Sequence, residues 1–305
     1  MELSKNANFR YLIKTAQPLK LLGGILFYFI GGGIIDYLGR PIQWQTFWIG
    51  LAAFILLQLS SYFLNEYFTF QAFPHRQSGK TDRKKVDSGE MSLPQEVFLQ
   101  VSLISLAVWA VLSYLLLRTG AIHVTGGIFW GIAFVVMFFY AVPPFRLSQS
   151  GFGEIAEAFF ITSLLPAWAV VLQIGELHSL LAMLTLPLTA LYIAISIALS
   201  LENYTLFNQD KHQTILTRMG WQQGMTLHNL LILFSYVFVG IALLTGLPWS
   251  LCWPMLMTLP LGIYQTYIVW QIGNGAKPPW KLLRVTSIGL ISVSAYLIMY
   301  SLWTR

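Results

Sequence analysis

The sequence contains little charge for its length. Only 10% of its 305 residues are Asp, Glu, Lys or Arg, whereas 56% are hydrophobic. A typical soluble domain carries about 25% charged residues. This chain therefore lacks the polar surface that would cover a soluble globule, and its composition indicates an integral membrane protein.

The sequence also lacks the motifs of the common soluble enzyme classes. It has no glycine-rich phosphate loop, no His and Cys cluster with metal-ligand spacing, and no nucleophile elbow. Its one cysteine, Cys252, cannot form an internal disulfide and lies in an apolar run, where it is interpreted as a small packing residue. Any chemistry is therefore expected from polar residues at the membrane segments.

Long apolar runs dominate the chain, and each approaches the roughly 20 residues needed to cross a hydrocarbon core. They cover residues 18–38, 45–70, 96–117, 124–142, 153–174, 178–200, 224–245, 248–272 and 283–303. We predict an all-α integral membrane protein with nine transmembrane helices, forming one domain over residues 1–305. The polar interval 71–95 is predicted to be a cytoplasmic loop.

The positive charges give this arrangement an orientation. Nine spans place 15 of the 18 Lys and Arg residues on one side, with only Arg40, Arg118 and Arg305 opposite. Because basic residues concentrate on the cytoplasmic side, we predict a cytoplasmic N-terminus and an outside C-terminus, in a cell inner membrane. The net charge of +6 then reflects topology and contact with anionic membrane lipids. It does not indicate a nucleic acid partner.

A distinctive segment follows the fourth predicted span. It reads Tyr-Ala-Val-Pro-Pro-Phe-Arg-Leu from Tyr140 to Leu147, and Gly-Phe-Gly-Glu follows at 151–154. Two consecutive prolines end a helix because they remove backbone donors and favour extended backbone. Arg146 is thereby left at the membrane surface, where a guanidinium can bind phosphate oxygens in a fork. Topology alone also explains Arg146 as a positive anchor.

Two further polar segments end apolar runs on the same predicted side. Asn65 and Glu66 lie near the end of the second run, where polar groups are costly in lipid and are expected to face a cavity or a partner. The segment 201–211 contains Glu202 and Asp210, and Thr-Ile-Leu-Thr-Arg-Met-Gly follows at 214–220.

Taken in order, these segments resemble the UbiA family of intramembrane prenyltransferases. The strings at 79–82 and 86–92 resemble elements of its menaquinone-type (dihydroxynaphthoate) branch. The resemblance implies a helical bundle whose central cavity opens to the cytoplasmic side. It also implies transfer of a prenyl group from an isoprenoid diphosphate to an aromatic acceptor, assisted by Mg²⁺.

The sequence departs from this family at the residues that bind metal. The family has aspartates four and eight positions after the asparagine that aligns with Asn65, but this chain has Thr69 and Phe73 there. In the third segment Asp210 falls on one expected aspartate, and Leu206 replaces the other. Neutral side chains cannot supply the carboxylate oxygens that Mg²⁺ prefers.

The resemblance assigns candidate roles to the residues that remain. Candidate metal ligands are Asn65, Glu66 and Asp210. A prenyl diphosphate carries close to three negative charges and needs metal ions or several cations as compensation. Candidate contacts for the diphosphate are Tyr140, Arg146, Arg76 and Lys80.

We therefore predict a UbiA-like membrane protein that binds an isoprenoid or prenyl-quinone-type lipid and whose catalysis is lost or altered. One alternative is an active prenyltransferase with Mg²⁺ as cofactor, of the type used in quinone biosynthesis. An alternative from another class is a lipid or small-molecule transporter, since polar residues in a membrane often mark a transport path. Here they cluster at one membrane side, whereas a transporter site is expected nearer the midplane.

The topology can be tested with reporter fusions. Reporters within 71–95 should report a cytoplasmic location, and reporters after Arg305 an outside location, because the Lys and Arg partition requires an odd number of crossings. Cysteine accessibility in intact cells provides an independent measurement. A cytoplasmic C-terminus would contradict the nine-span arrangement.

Overall fold

The computed structural model describes residues 2–72, 94–209 and 213–304, which form helices joined by short connections. No β-strand occurs in these ranges. In chain order the helices are α1 Glu2–Thr15, α2 Pro18–Tyr37, α3 Trp44–Ala72, α4 Gln95–Arg118, α5 Val124–Ala141, α6 Gly153–Ile174, α7 Ser179–Leu201, α8 Tyr204–Gln209, α9 Ile215–Met219, α10 Trp221–Leu244, α11 Trp249–Leu256, α12 Leu259–Gly273 and α13 Trp280–Trp303. A π-helical turn, Phe160–Leu164, lies inside α6, and a 3₁₀ turn, Leu147–Gln149, lies between α5 and α6.

Local signals in the sequence explain several helix ends. Pro18 lies in the first turn of α2, where its missing N–H needs no partner. Gly175 ends α6 in the left-handed conformation, with φ of 82°, which a residue with a side chain rarely adopts. Thr214 caps α9 through a reciprocal pair of hydrogen bonds with Thr217.

Within the described ranges, eight helices are long and apolar enough to cross a membrane. The predicted run 248–272 is the exception, because it consists of the two shorter helices α11 and α12. Pro254 lies inside α11 and Pro260 in the first turn of α12, and each removes a backbone donor that one continuous helix would use. The integral membrane class agrees with these helices, while the count of nine crossings stays a prediction.

The polar groups at the break between α11 and α12 form hydrogen bonds inside the protein. The Thr258 hydroxyl donates to the Met255 carbonyl oxygen at 2.7 Å and accepts a hydrogen bond from Ser294 Oγ at 3.0 Å. Tyr236 Oη lies 3.1 Å from the same hydroxyl. Because lipid offers no partners to polar groups, this internal pairing allows a broken helix at membrane depth.

The core lies where α2, α3, α5 and α6 pack together. Trp168 and Tyr28 are completely buried, and Phe54 is nearly so. The Trp130 and Trp168 rings stack with their centroids 4.2 Å apart. Since lipid tails are as apolar as these side chains, close packing of this kind holds membrane helices together.

The crossing of α2 and α6 depends on a glycine. A Cβ atom on Gly31 would lie 2.5 Å from the Pro166 carbonyl oxygen and 2.7 Å from Ala169 Cβ. Even a methyl group would therefore push the two backbones apart. By contrast, a Cβ atom on Gly23, in the same helix, would meet no atom within 4 Å.

We expect Gly31→Ala to destabilise the protein by about 1–3 kcal/mol, as overpacking of a close contact commonly does. Gly23→Ala is the matched control and should be neutral or slightly stabilising, because alanine favours helix more than glycine. Equilibrium unfolding in mixed micelles measures both. Equal stability of the two variants would contradict the close α2–α6 contact.

Candidate functional site

The motif segments meet at one end of the bundle, although they are far apart in sequence. The end of α3 contacts the loop after α5, where the Ser148 hydroxyl donates to Asn65 Oδ1 at 2.5 Å. The start of α6 contacts the start of α9, where Glu154 Oε2 accepts from the Ile215 backbone N–H at 3.3 Å. Four segments with polar residues thus form a single site.

Thr69 is the centre of the hydrogen bonds between α3 and the loop after α5. Its hydroxyl accepts from Arg146 Nη2 at 3.2 Å and from Gln149 Nε2 at 2.8 Å. It donates in turn to the Asn65 carbonyl oxygen at 2.7 Å. A guanidinium therefore lies beside Thr69, the position at which the sequence resemblance leads us to expect a carboxylate.

The two candidate metal ligands on α3, Asn65 and Glu66, also accept hydrogen bonds. Asn65 uses its side-chain oxygen for Ser148, and Glu66 Oε1 accepts from the Tyr11 hydroxyl at 2.6 Å. Tyr11 itself packs edge-on against Phe98, with ring centroids 5.8 Å apart. The helix α1 is thereby attached to the end of α3.

Arg146 adopts an unusual backbone conformation. Its φ of 37° and ψ of 60° are left-handed, which is uncommon for a residue other than glycine. Such a conformation costs roughly 1–2 kcal/mol and persists only where the surroundings hold it. Here the contact of Arg146 with Thr69 is one of the interactions that hold it.

A second polar cluster is centred on a buried carboxylate. Glu157 is only 5% exposed, and its Oε2 accepts from Lys20 Nζ at 2.7 Å. Its Oε1 accepts from the Tyr62 hydroxyl at 2.8 Å, and that hydroxyl accepts from Gln58 Nε2 at 2.8 Å. Three helices, α2, α3 and α6, contribute to this cluster.

A cavity of about 400 Å³ borders the carboxylate cluster. Its polar lining comes from α2, α6, α7 and α13 and consists of Lys20, Glu154, Glu157, Tyr192, Ser196, Ser200 and Ser292. Leucine, isoleucine and phenylalanine side chains from α2, α7, α8 and α13 form the apolar walls. The cavity thus combines a small polar end with a larger apolar surface, as small-molecule sites do.

No protein-family model and no curated protein matches the chain. Solved structures match it over nearly its whole length. A UbiA homolog from Archaeoglobus fulgidus bound to GPP and Mg²⁺ has a TM-score of 0.65 at 14% identity, covering 94% of this chain and 99% of that one. The chain has a UbiA-type fold.

Two further structures share this fold. A UbiA homolog from Archaeoglobus fulgidus bound to DMAPP and Mg²⁺ has a TM-score of 0.61 at 17% identity, covering 94% of this chain and 98% of that one. A structure of digeranylgeranylglyceryl phosphate synthase has a TM-score of 0.61 at 13% identity, covering 96% and 97%. The UbiA-type arrangement expected from the motifs is therefore present in the helical bundle.

Tyr140 and Arg146 contact different side chains in this fold. Tyr140 is 6% exposed and its ring meets that of Tyr62 edge-on, with centroids 6.4 Å apart. It therefore belongs to the Glu157 cluster, whereas Arg146 contacts Thr69. The two candidate diphosphate contacts therefore have different partners, and their role stays a prediction.

The segment after α7 departs from a continuous helix. A turn at Glu202 and Asn203 separates α7 from α8, and Glu202 forms an ion pair with Arg284 of α13. Leu206 is 47% exposed, and Phe207 rather than Leu206 lines the cavity. The predicted place of Leu206 at a metal site stays a prediction.

Four sequence candidates lie outside the described residues, namely Phe73, Arg76, Lys80 and Asp210. Their predicted roles stay predictions. Among the residues that the structure describes, no three His, Cys, Asp or Glu side chains form a group that could hold a metal ion.

Sequence reasoning missed the Glu157 cluster. Lys20 was interpreted only as a topological charge, and Glu157 and Tyr62 were given no role. A signal was present, because Glu157 interrupts an apolar run three residues after Glu154, which puts both on one helical face. Only the fold shows that Lys20, 137 positions earlier, is the partner.

The ion pair can be measured with a double-mutant cycle. Lys20→Met and Glu157→Gln should each destabilise the protein, because Lys20→Met leaves a buried carboxylate with less compensation and Glu157→Gln leaves an ammonium without its partner. The double variant should lose less free energy of unfolding than the two single variants lose together. The difference is a coupling free energy of about 1–3 kcal/mol, measured by unfolding in mixed micelles. Strict additivity would show that the two groups do not interact.

Proposed function

We propose that this chain is a membrane protein of the UbiA family that binds an isoprenoid or prenyl-quinone-type lipid and has lost magnesium-dependent prenyl transfer. The UbiA-type fold supports the family, at TM-scores of 0.61 to 0.65. The GPP and DMAPP bound to UbiA homologs support the isoprenoid class of ligand. The cavity with apolar walls and a polar end supports lipid binding.

The contact between Arg146 and Thr69 carries the proposal of lost catalysis. A magnesium site needs several oxygens that are free to coordinate and that bring negative charge. Thr69 brings a neutral hydroxyl that already accepts two hydrogen bonds, and a guanidinium stands 3.2 Å from it. A divalent cation at this position would meet the positive charge of Arg146 at short range.

The remaining ligands on α3 support the same conclusion. Asn65 Oδ1 accepts from Ser148, and Glu66 Oε1 accepts from Tyr11, so cation binding would have to displace both donors. The described residues at this end of α3 therefore do not fit Mg²⁺. We therefore propose that the silent protein uses no cofactor, and that Mg²⁺ is the cofactor only if the protein is an active enzyme.

The alternative is an active prenyltransferase with a rebuilt metal site. It would use Asn65, Glu66 and Asp210 at the metal, and Tyr140, Arg146, Arg76 and Lys80 at the diphosphate. The burial of Tyr140 beside Glu157 counts against this alternative, because a diphosphate there would meet a carboxylate.

A transporter is less well supported. Broken helices near the midplane often form transport sites. The helices α11 and α12 are the two halves of such a broken helix. Thr258 at the break is hydrogen-bonded to Met255 and Ser294, so its hydroxyl already has partners within the protein. The cavity adjoins neither α11 nor α12 in its described lining.

Three finer features of the proposal come from the sequence. The strings at 79–82 and 86–92 support the menaquinone-type branch and hence a quinone-like lipid. The basic residues support a cytoplasmic N-terminus and an inner-membrane location. The same charges would place the mouth of the cavity on the cytoplasmic side.

Prenyl transfer assays test the proposal. Purified protein with Mg²⁺, labelled GPP or DMAPP and a panel of aromatic acceptors should form no product above an EDTA control, because the site lacks the carboxylates that hold the metal. A known active prenyltransferase in the same membranes is the positive control. Robust, magnesium-dependent turnover would overturn the silent assignment.

A gain-of-binding variant provides the matched comparison. Thr69→Asp, Phe73→Asp and Leu206→Asp combined should bind Mg²⁺ and diphosphate more tightly than the native chain. The corresponding triple asparagine variant has nearly the same size but adds no charge, and it should not. Calorimetric titration measures the affinities, and equal binding by both variants would show that the missing charge is not decisive.

A further inference from the structure

The ionisable residues of the cavity make it unsuitable for an anion. Its lining contains two carboxylates, Glu154 and Glu157, and one ammonium, Lys20, among the described residues. Lys20 is already paired with Glu157 at 2.7 Å. A diphosphate entering here would meet an excess of negative charge near the lipid, where electrostatic repulsion is only weakly screened.

Four polar residues of the cavity lining offer acceptors, namely Ser196, Ser200, Glu154 and Glu157, while Lys20, Tyr192 and Ser292 carry donor groups. Ser196 and Ser200 donate their hydroxyl protons to the carbonyl oxygens of Tyr192 and Ser196, each at 2.9 Å. Their oxygens can therefore only accept further hydrogen bonds. The carboxylate oxygens of Glu154 and Glu157 also act as acceptors, for the Ile215 backbone N–H and for Lys20 and Tyr62. A ligand that offers an O–H donor would match this end of the cavity.

The rest of the cavity requires an apolar ligand. Leu22, Leu26, Ile195, Leu199 and Ile291 line it, together with Phe27. Leu22 is also 62% exposed on the outer surface of α2, so the cavity borders the region occupied by lipid tails. A branched hydrocarbon chain matches these side chains, and a strongly hydrated molecule does not.

We infer that the cavity binds an uncharged isoprenoid lipid whose head group donates a hydrogen bond to the Glu154 and Glu157 carboxylates, that is, a prenol or a prenyl quinol. This inference rests on the proposed isoprenoid binding and narrows it. The cavity discriminates against the diphosphate of the same chain by charge. It discriminates against an ether of the same chain by the missing donor.

Three probes with the same C20 chain test the inference, namely geranylgeraniol, its methyl ether and its diphosphate. Equilibrium binding of the labelled probes to the full chain in phosphatidylcholine nanodiscs gives the affinities. Geranylgeraniol should bind at least about tenfold more tightly than either other probe, as expected for one hydrogen bond to a charged group.

The outcomes separate the two proposals. If none of the probes binds, the proposed isoprenoid binding fails and the inference fails with it. If the diphosphate binds as tightly as geranylgeraniol, isoprenoid binding stands and the inference is overturned. Equal binding of the methyl ether would likewise overturn the requirement for a donor.

Glu157→Gln should reverse the preference for geranylgeraniol over its diphosphate. The amide removes one carboxylate and releases Lys20 from its partner, so geranylgeraniol should bind about tenfold more weakly and the diphosphate about tenfold more tightly. Glu176→Gln is the matched control, since Glu176 is exposed beyond the other end of α6. It should change neither affinity.

A second variant covers the case in which Glu157→Gln does not fold. Glu154→Gln keeps the ion pair of Lys20 and removes the other carboxylate, and it should shift both affinities in the same directions by a smaller factor. If a folded variant of either kind leaves the preference unchanged, the carboxylates do not select the ligand.

Discussion

The buried carboxylate of Glu157 is the constraint on which the rest of the site depends. A carboxylate that leaves water loses several kcal/mol of solvation unless it is paired and hydrogen-bonded. Here an ammonium and a phenol occupy its two oxygens. Because Lys20, Tyr62 and Glu157 lie on different helices, satisfying this one group fixes the mutual positions of α2, α3 and α6 at the end where the cavity lies.

The loop after α5 is held on α3 by hydrogen bonds that meet at one side chain. The Thr69 hydroxyl accepts from Arg146 and from Gln149. The loop is thereby held on α3 by its own donors, including Ser148 on Asn65. The side-chain oxygens of Asn65 and Thr69 thus stabilise the contact between α3 and this loop.

The scaffold and the site follow different physical requirements. The scaffold needs close packing, as where Gly31 lets α2 approach α6, and internal partners for polar groups, as at Thr258. Neither requirement involves the chemistry of a ligand. A UbiA-type fold can therefore persist while most of the sequence changes, as the TM-score of 0.65 at 14% identity illustrates.

The sequence by itself predicted the membrane class, the helical architecture and most span boundaries, because apolar runs of one length report the thickness of a bilayer. It also indicated the UbiA-type fold and the segments that carry the site, through Asn65, Arg146 and the prolines before it. It could not show that α11 and α12 are separate helices, since Pro254 and Pro260 are also compatible with a kinked span.

Only the tertiary structure decided which polar groups meet. Lys20 and Glu157 are 137 residues apart, and no local pattern links an isolated lysine to one particular carboxylate. The turn at Glu202 and Asn203, and the presence of Phe207 rather than Leu206 in the cavity lining, likewise appear only in the structure. Helical periodicity is a local property and can be read from the chain, whereas the pairing of charges depends on how separate helices pack.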